Sequence, residues 1–100
     1  MSYSSRSTVV KAGVNSTWGG APYLPEHPEG SGAVWVWLRD SSTPPLHDRW
    51  FEVLPPWDSQ ILAIALAAIS SAKDVSVHVS DGTEVGPAGE PLCYTMYLIA

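Results

Sequence analysis

One stretch constrains this chain more than any other. Residues 60–72 are rich in Ala, Leu and Ile and contain neither Gly nor Pro. Asp58 and Ser59 precede them and Lys73 follows. That pattern predicts a helix, with Asp58 or Ser59 as N-cap and a cation near the negative end of the dipole. At ~100° per residue, Ile61, Ala65, Ala68 and Ala72 share one face and Leu62, Leu66 and Ile69 the next, with Ile64 and Ala67 beyond them. A helix apolar almost all round must be covered on both sides. It is either buried deep within one protomer or shared between copies. In a chain of 100 residues, few other elements remain to cover it. A homo-oligomer interface is therefore expected, through Ile61, Ile64, Ala65 and Ala68, and closed rotational symmetry is the usual outcome.

The rest of the chain reads as strands. Residues 33–39 alternate cleanly, with Val34, Val36 and Leu38 on one face and Trp35, Trp37 and Arg39 on the other. Residues 75–80 alternate as well, valines against Ser76, His78 and Ser80. Three further strands are expected at 8–14, 49–54 and 92–99. The Pro55–Pro56 pair ends the third of the five, because proline cannot donate to a ladder. Loops rich in Gly and Pro occupy 15–32, 40–48 and 81–91. The order is β-β-β-α-β-β, a mainly β, α+β single domain over residues 8–100, with residues 1–7 expected as a flexible polar arm. Such a set makes a small antiparallel sheet or a partly closed barrel, with the helix over one end or face.

Composition excludes several function classes. Charged residues are 15% of the chain and apolar residues 45%, which is incompatible with intrinsic disorder. Five Lys+Arg against ten Asp+Glu give a net charge of −5, with no basic cluster. A nucleic-acid partner or an anionic membrane surface needs such a cluster. The longest apolar run, 61–69, is nine residues, far short of the ~20 that span a bilayer. Residues 1–7 have no apolar core of the signal-peptide kind, and the compartment stays open. Cys93 is the one cysteine, so there is no intrachain disulfide.

Catalytic and metal signatures are weak. His27, His47 and His78 have no ligand spacing, and a solvated position is expected for each. His78 can sense pH, because imidazole titrates near neutrality. There is no Gly-x-Ser-x-Gly elbow and no phosphate-cradling loop. No cofactor is implied and no enzyme is expected.

The stronger signal is aromatic. If the valines of 33–39 face the core, Trp35 and Trp37 point outward about 7 Å apart. Sugars stack on such rings while charged and polar neighbours fix their hydroxyls. Trp35, Trp37, Arg39 and Asp40 are the first candidate ligand residues, and Asn15, Ser16 and Trp18 form a second group. The alternative is that the Trp face packs inside the protein or against another subunit. Trp50 and Trp57 read as core or interface.

Residues 61–79, a helix of small and apolar residues leading into a valine-alternating strand, resemble the core of the pentameric B subunits of bacterial AB toxins. The resemblance is in particular to the subtilase-cytotoxin and pertussis-like branch. Residues 10–16, 32–38 and 50–54 fall in the order of that family's first three strands, and Cys93 with 95–99 matches its last. The resemblance implies an OB-like antiparallel β-barrel, assembled as a pentamer with the helices around a central pore. It further implies glycan binding without catalysis, a catalytic A-type partner chain and secretion. That branch usually carries a disulfide, which one cysteine cannot form. No sugar-contacting residue of the family is carried over. The alternative function is an oligomeric scaffold that docks a partner chain without binding sugar.

Overall fold

The computed structural model describes residues 1–15, 33–86 and 89–100. Its elements are β1 (Ser2–Asn15), β2 (Ala33–Asp40), β3 (Asp48–Val53), α1 (Asp58–Ser71), β4 (Val75–Ser80) and β5 (Cys93–Leu98). The strands form one antiparallel sheet in the order β3-β2-β1-β4-β5. The β-β-β-α-β-β order and the α+β class read from the sequence are those of the structure.

The central strand corrects the expected N-terminal arm. Ser2 to Ser7 pair with β4, and Ser7 to Asn15 pair with β2. One 14-residue strand therefore serves both halves of the sheet. Its register shifts between Val9 and Lys11, an extra residue of the kind that bends a strand and reverses its alternation. Ser7 and Val9 face inward before the shift, and Ala12 packs on the core after it. Strict alternation from Ser7 and Val9 would send Lys11 into the core. The bulge at Val10 turns it out instead.

A second shift, between His78 and Val79 on β4, places both Cys93 and Met96 of β5 inward. The core joins Val34, Val36 and Leu38 of β2, Phe51 and Val53 of β3, and Val75, Val77 and Val79 of β4. Burying a side chain of this size contributes roughly 1.5–3 kcal/mol.

Helix α1 covers this core and corrects the interface residues expected from the sequence. Ile61, Ala65 and Ala68 are buried against the chain's own sheet, and Ile64 packs beside them. They are spaced three and four apart, which is the inward stripe of a helix. The helix remains partly uncovered on its flank, where Leu66 is 49% and Ile69 41% exposed. Trp57, not Asp58 or Ser59, is the N-cap and makes no side-chain cap. Asp58 sits in the first turn, where its charge still suits the dipole. At the far end, Ala72 adopts the left-handed conformation, and the Lys73 N–H bonds to the Ala68 carbonyl at 3.0 Å.

The sheet is open. Its two edges approach at one parallel bridge, Glu52 to Leu92, where the Glu52 N–H donates to the Pro91 carbonyl at 2.9 Å. Among the described residues, no helix is long and apolar enough to cross a membrane.

Candidate functional site on the outer tryptophan face

Registration sets which side chains share the outer face of β1, β2 and β3. Lys11 lies opposite Trp37, Trp37 opposite Trp50, and Trp35 opposite Glu52. In a pleated sheet such cross-strand pairs touch. Trp50 meets Trp35 edge-on, with ring centres 6.3 Å apart at 81°, and meets Trp37 at 5.5 Å and 76°. All three rings are half-buried. Trp50, expected in the core or at an interface, is thus the middle of the cluster. Trp35 and Trp37 do face outward.

Charge fixes the rings in place. The Trp37 Nε1–H donates to Asp48 Oδ1 at 2.6 Å, and Arg39 Nε–H donates to Asp48 Oδ2 at 3.2 Å. The Trp37 bond, with Arg39 beside it, holds the Asp48 carboxyl below its ordinary range. Lys11 Nζ stands 5.0 Å from the Trp37 ring centre and 5.1 Å from that of Trp50. Glu52 lies on this face but is only 1% exposed, and one of its carboxylate oxygens accepts the Glu90 N–H at 3.1 Å. A Cβ on Gly86 would stand 2.6 Å from that carboxylate, so glycine permits the close approach.

Asp40 does not join the tryptophans. Period-two alternation puts it on the same side as Val36 and Leu38, and it is 5% exposed. It accepts the N–H groups of Ser42 at 3.0 Å and Leu46 at 3.2 Å, together with the Ser42 hydroxyl. Burial works to raise its pKa, but these bonds and one from Ser5 outweigh burial and hold the carboxyl well below its usual range. Asp40 anchors the 41–46 loop. Of the second candidate group, Asn15 contributes its backbone to the pairing with Ala33. Ser16 and Trp18 lie outside the described residues, as does His27.

His47, expected in solvent, is 6% exposed. Its Nδ1 is 2.8 Å from the Tyr3 hydroxyl and its Nε2 3.0 Å from Ser7 Oγ, and its ring stands edge-on to Phe51 at 5.0 Å. Burial lowers its pKa, with Asp40 and Asp48 opposing. A serine beside a histidine has the spacing of a nucleophile and its base. Here, however, Ser7 has no exposed surface, so the pair ties β1 to the start of β3 rather than meeting a substrate. His78 keeps the polar outer face of β4, bonded to Ser4 and Ser2 at 2.9 and 2.8 Å. Cys93 is buried, and burial pushes its thiol up to about 12, the behaviour of an inert packing group. No group of His, Cys, Asp or Glu among the described residues could hold a metal ion.

Trp50 and Lys11 were missing from the candidates read from sequence. The signal for Trp50 was alternation: with Phe51 and Val53 inward, Trp50 falls on the outer side of β3. Lys11 had no such signal, because its direction depends on the bulge. The chain matches no family model, no curated protein and no solved structure.

Proposed function

We propose that this chain is a non-enzymatic, self-associating OB-like subunit that binds carbohydrate on its outer tryptophan face. The observation that carries the reading is the Trp35–Trp50–Trp37 cluster, in which Asp48 holds the Trp37 indole and edge-on contacts join the rings, while all three stay partly open to solvent. Rigid aromatic surface flanked by Lys11, Arg39 and Asp48 suits the alternating apolar faces and hydroxyls of a sugar. The OB-like barrel is supported by a central β1 that pairs with both β2 and β4, and by edges that touch at Glu52 and Leu92. A ring of five copies docked to a catalytic A-type chain, and secreted, is the assembly that the toxin resemblance implies.

A glycan array, followed by titration of the best ligand against Trp37→Ala, tests the binding. Removing one stacked ring is expected to weaken affinity by about tenfold, the equivalent of ~1.4 kcal/mol. An array with no binder overturns the carbohydrate reading.

A second reading, an oligomeric scaffold that docks a protein, is favoured by the uncovered flank of α1 at Leu66 and Ile69. Light scattering is expected to give a mass several times 10.7 kDa. The double variant Leu66→Glu/Ile69→Glu is expected to lower that mass toward the monomer, because buried carboxylates without partners are costly. A monomeric wild type removes both forms of the ring.

A further inference from the structure

Arg6, Arg39 and Arg49 each meet a carboxylate, at 2.9, 3.2 and 2.7 Å. Lys11 is held differently. The bulge at Val10 turns its side chain outward, and its ammonium rests almost equally far from two indole rings, 5.0 and 5.1 Å from their centres. Those rings stand at 76° to one another. Two near-perpendicular aromatic rings that share one point make a corner of negative electrostatic potential. Such a corner favours a cation over a neutral hydroxyl and disfavours a carboxylate. Asp48, bonded to the Trp37 indole, adds a formal negative charge beside it. The whole molecule adds a net charge of −5, which attracts cations at longer range.

The occupant of that corner is an exposed lysine on a flexible stem. An exposed cation–π contact of this kind is weak enough to be exchanged. We infer that Lys11 is a stand-in and that the corner accepts the ammonium group of an amino sugar, which displaces it. The sugar ring then continues over the indole surface toward Trp35, with Arg39 and Asp48 at its rim. This rests on the carbohydrate reading above and narrows it to glycans with free amines. It also assigns Lys11 a role: to keep the aromatic corner filled when no ligand is bound.

The sign of one substitution separates this from the opposite arrangement. A lysine that served to pair with an acidic sugar would be needed for binding. A lysine that competes with the ligand would be better removed. The experiment titrates the full chain, by calorimetry and by tryptophan fluorescence, in mildly acidic buffer where sugar amines are charged. The probes are a glucosamine tetramer, its fully N-acetylated counterpart, a sialylated trisaccharide and choline. The proteins are wild type, Lys11→Met and Trp50→Leu.

The expected result is that the glucosamine tetramer binds more tightly than the acetylated one. Lys11→Met should tighten it by about two- to fivefold, the reciprocal of the contact removed. Trp50→Leu should lose it at unchanged net charge. Retained binding in a folded Trp50→Leu means general charge attraction and overturns the inference. Equal or better binding of the acetylated or sialylated sugar, with Lys11→Met neutral or weaker, overturns the inference and leaves the carbohydrate reading standing. Binding of choline alone, or of no probe, overturns the inference, and the glycan array then decides the carbohydrate reading. Lys11 is exposed, so its replacement is not expected to disturb folding, and the test does not hang on Trp50.

Discussion

Phe51→Ala is expected to lower the unfolding free energy by about 3–5 kcal/mol. The ring is 1% exposed and belongs to the cluster that joins β2, β3 and α1. It also carries His47 edge-on at 5.0 Å, so its removal opens a cavity beside a buried imidazole as well as losing apolar contact. Domains of this size hold roughly 5–15 kcal/mol in total. The variant therefore sits near the edge of folding at room temperature. Urea denaturation followed by far-ultraviolet circular dichroism measures the shift. The control is Leu98→Ala on the edge strand, where the side chain is 43% exposed, and a loss under about 1 kcal/mol is expected. Equal losses for the two variants would mean that the core is not centred on Phe51.

The contrast between these positions explains how much of the fold the sequence carried. β2 and β4 were legible because each buries valines, or valines and leucine, on one face and keeps a different chemistry on the other. The helix was legible because no residue in it breaks the pattern. The first half of β1 was not. Its inward residues include Ser5 and Ser7, which bond to each other at 2.7 Å, and Ser7 reaches His47. Polar groups turned inward erase the alternation on which strand detection rests, and their partner lies 40 residues away from Ser7.

The candidate site was legible in half. The outward direction of Trp35 and Trp37 followed from alternation alone. The same rule, applied one residue beyond Arg39, assigns Asp40 to the inner side, where burial and the turn at 41–46 claim it. Lys11 needed the bulge at Val10, an extra residue that the alternation of the sequence does not mark. The helix shows the same limit from the other side. Its apolar excess was correctly read as more than one sheet face covers, but only packing reveals that Ile61, Ala65 and Ala68 are satisfied and Leu66 and Ile69 are not.

That difference has a consequence for assembly. An interface built on the inward stripe would have to unpack the core. One built on the uncovered flank leaves the protomer intact, which is why the charge substitutions above are directed at Leu66 and Ile69. At the helix start, the exposed Trp57, at 64%, forms a separate shallow apolar groove with Leu54, Pro55 and Tyr94.

Asp40→Ala is expected to cost about 2–4 kcal/mol of stability, not merely to weaken a ligand. Its carboxylate accepts two backbone N–H groups and a hydroxyl within one turn, and it stands beside the His47–Tyr3–Ser7 cluster. Alanine leaves those donors to water and frees the 41–46 segment from β2. The pH profile gives the role away. Asp40 has a folded pKa below its unfolded value, so its contribution is present above about pH 4 and is lost as pH falls further. His47 is also depressed. The unfolded chain takes up its proton first, and stability declines as pH drops below about 6.5 before levelling off. Wild type is therefore expected to lose stability in two steps, an upper one from His47 and a lower one in which buried Asp40 is joined by the exposed Asp48 and Asp81. Asp40→Ala keeps the His47 step and shrinks the lower one, to which the depressed Asp48 and Asp81 carboxyls still contribute, whereas His47→Gln keeps the lower step and loses the upper. Thermal unfolding followed across that range reads both. A profile for Asp40→Ala parallel to wild type down to the most acid point would show that Asp40 does not hold the turn in its charged form.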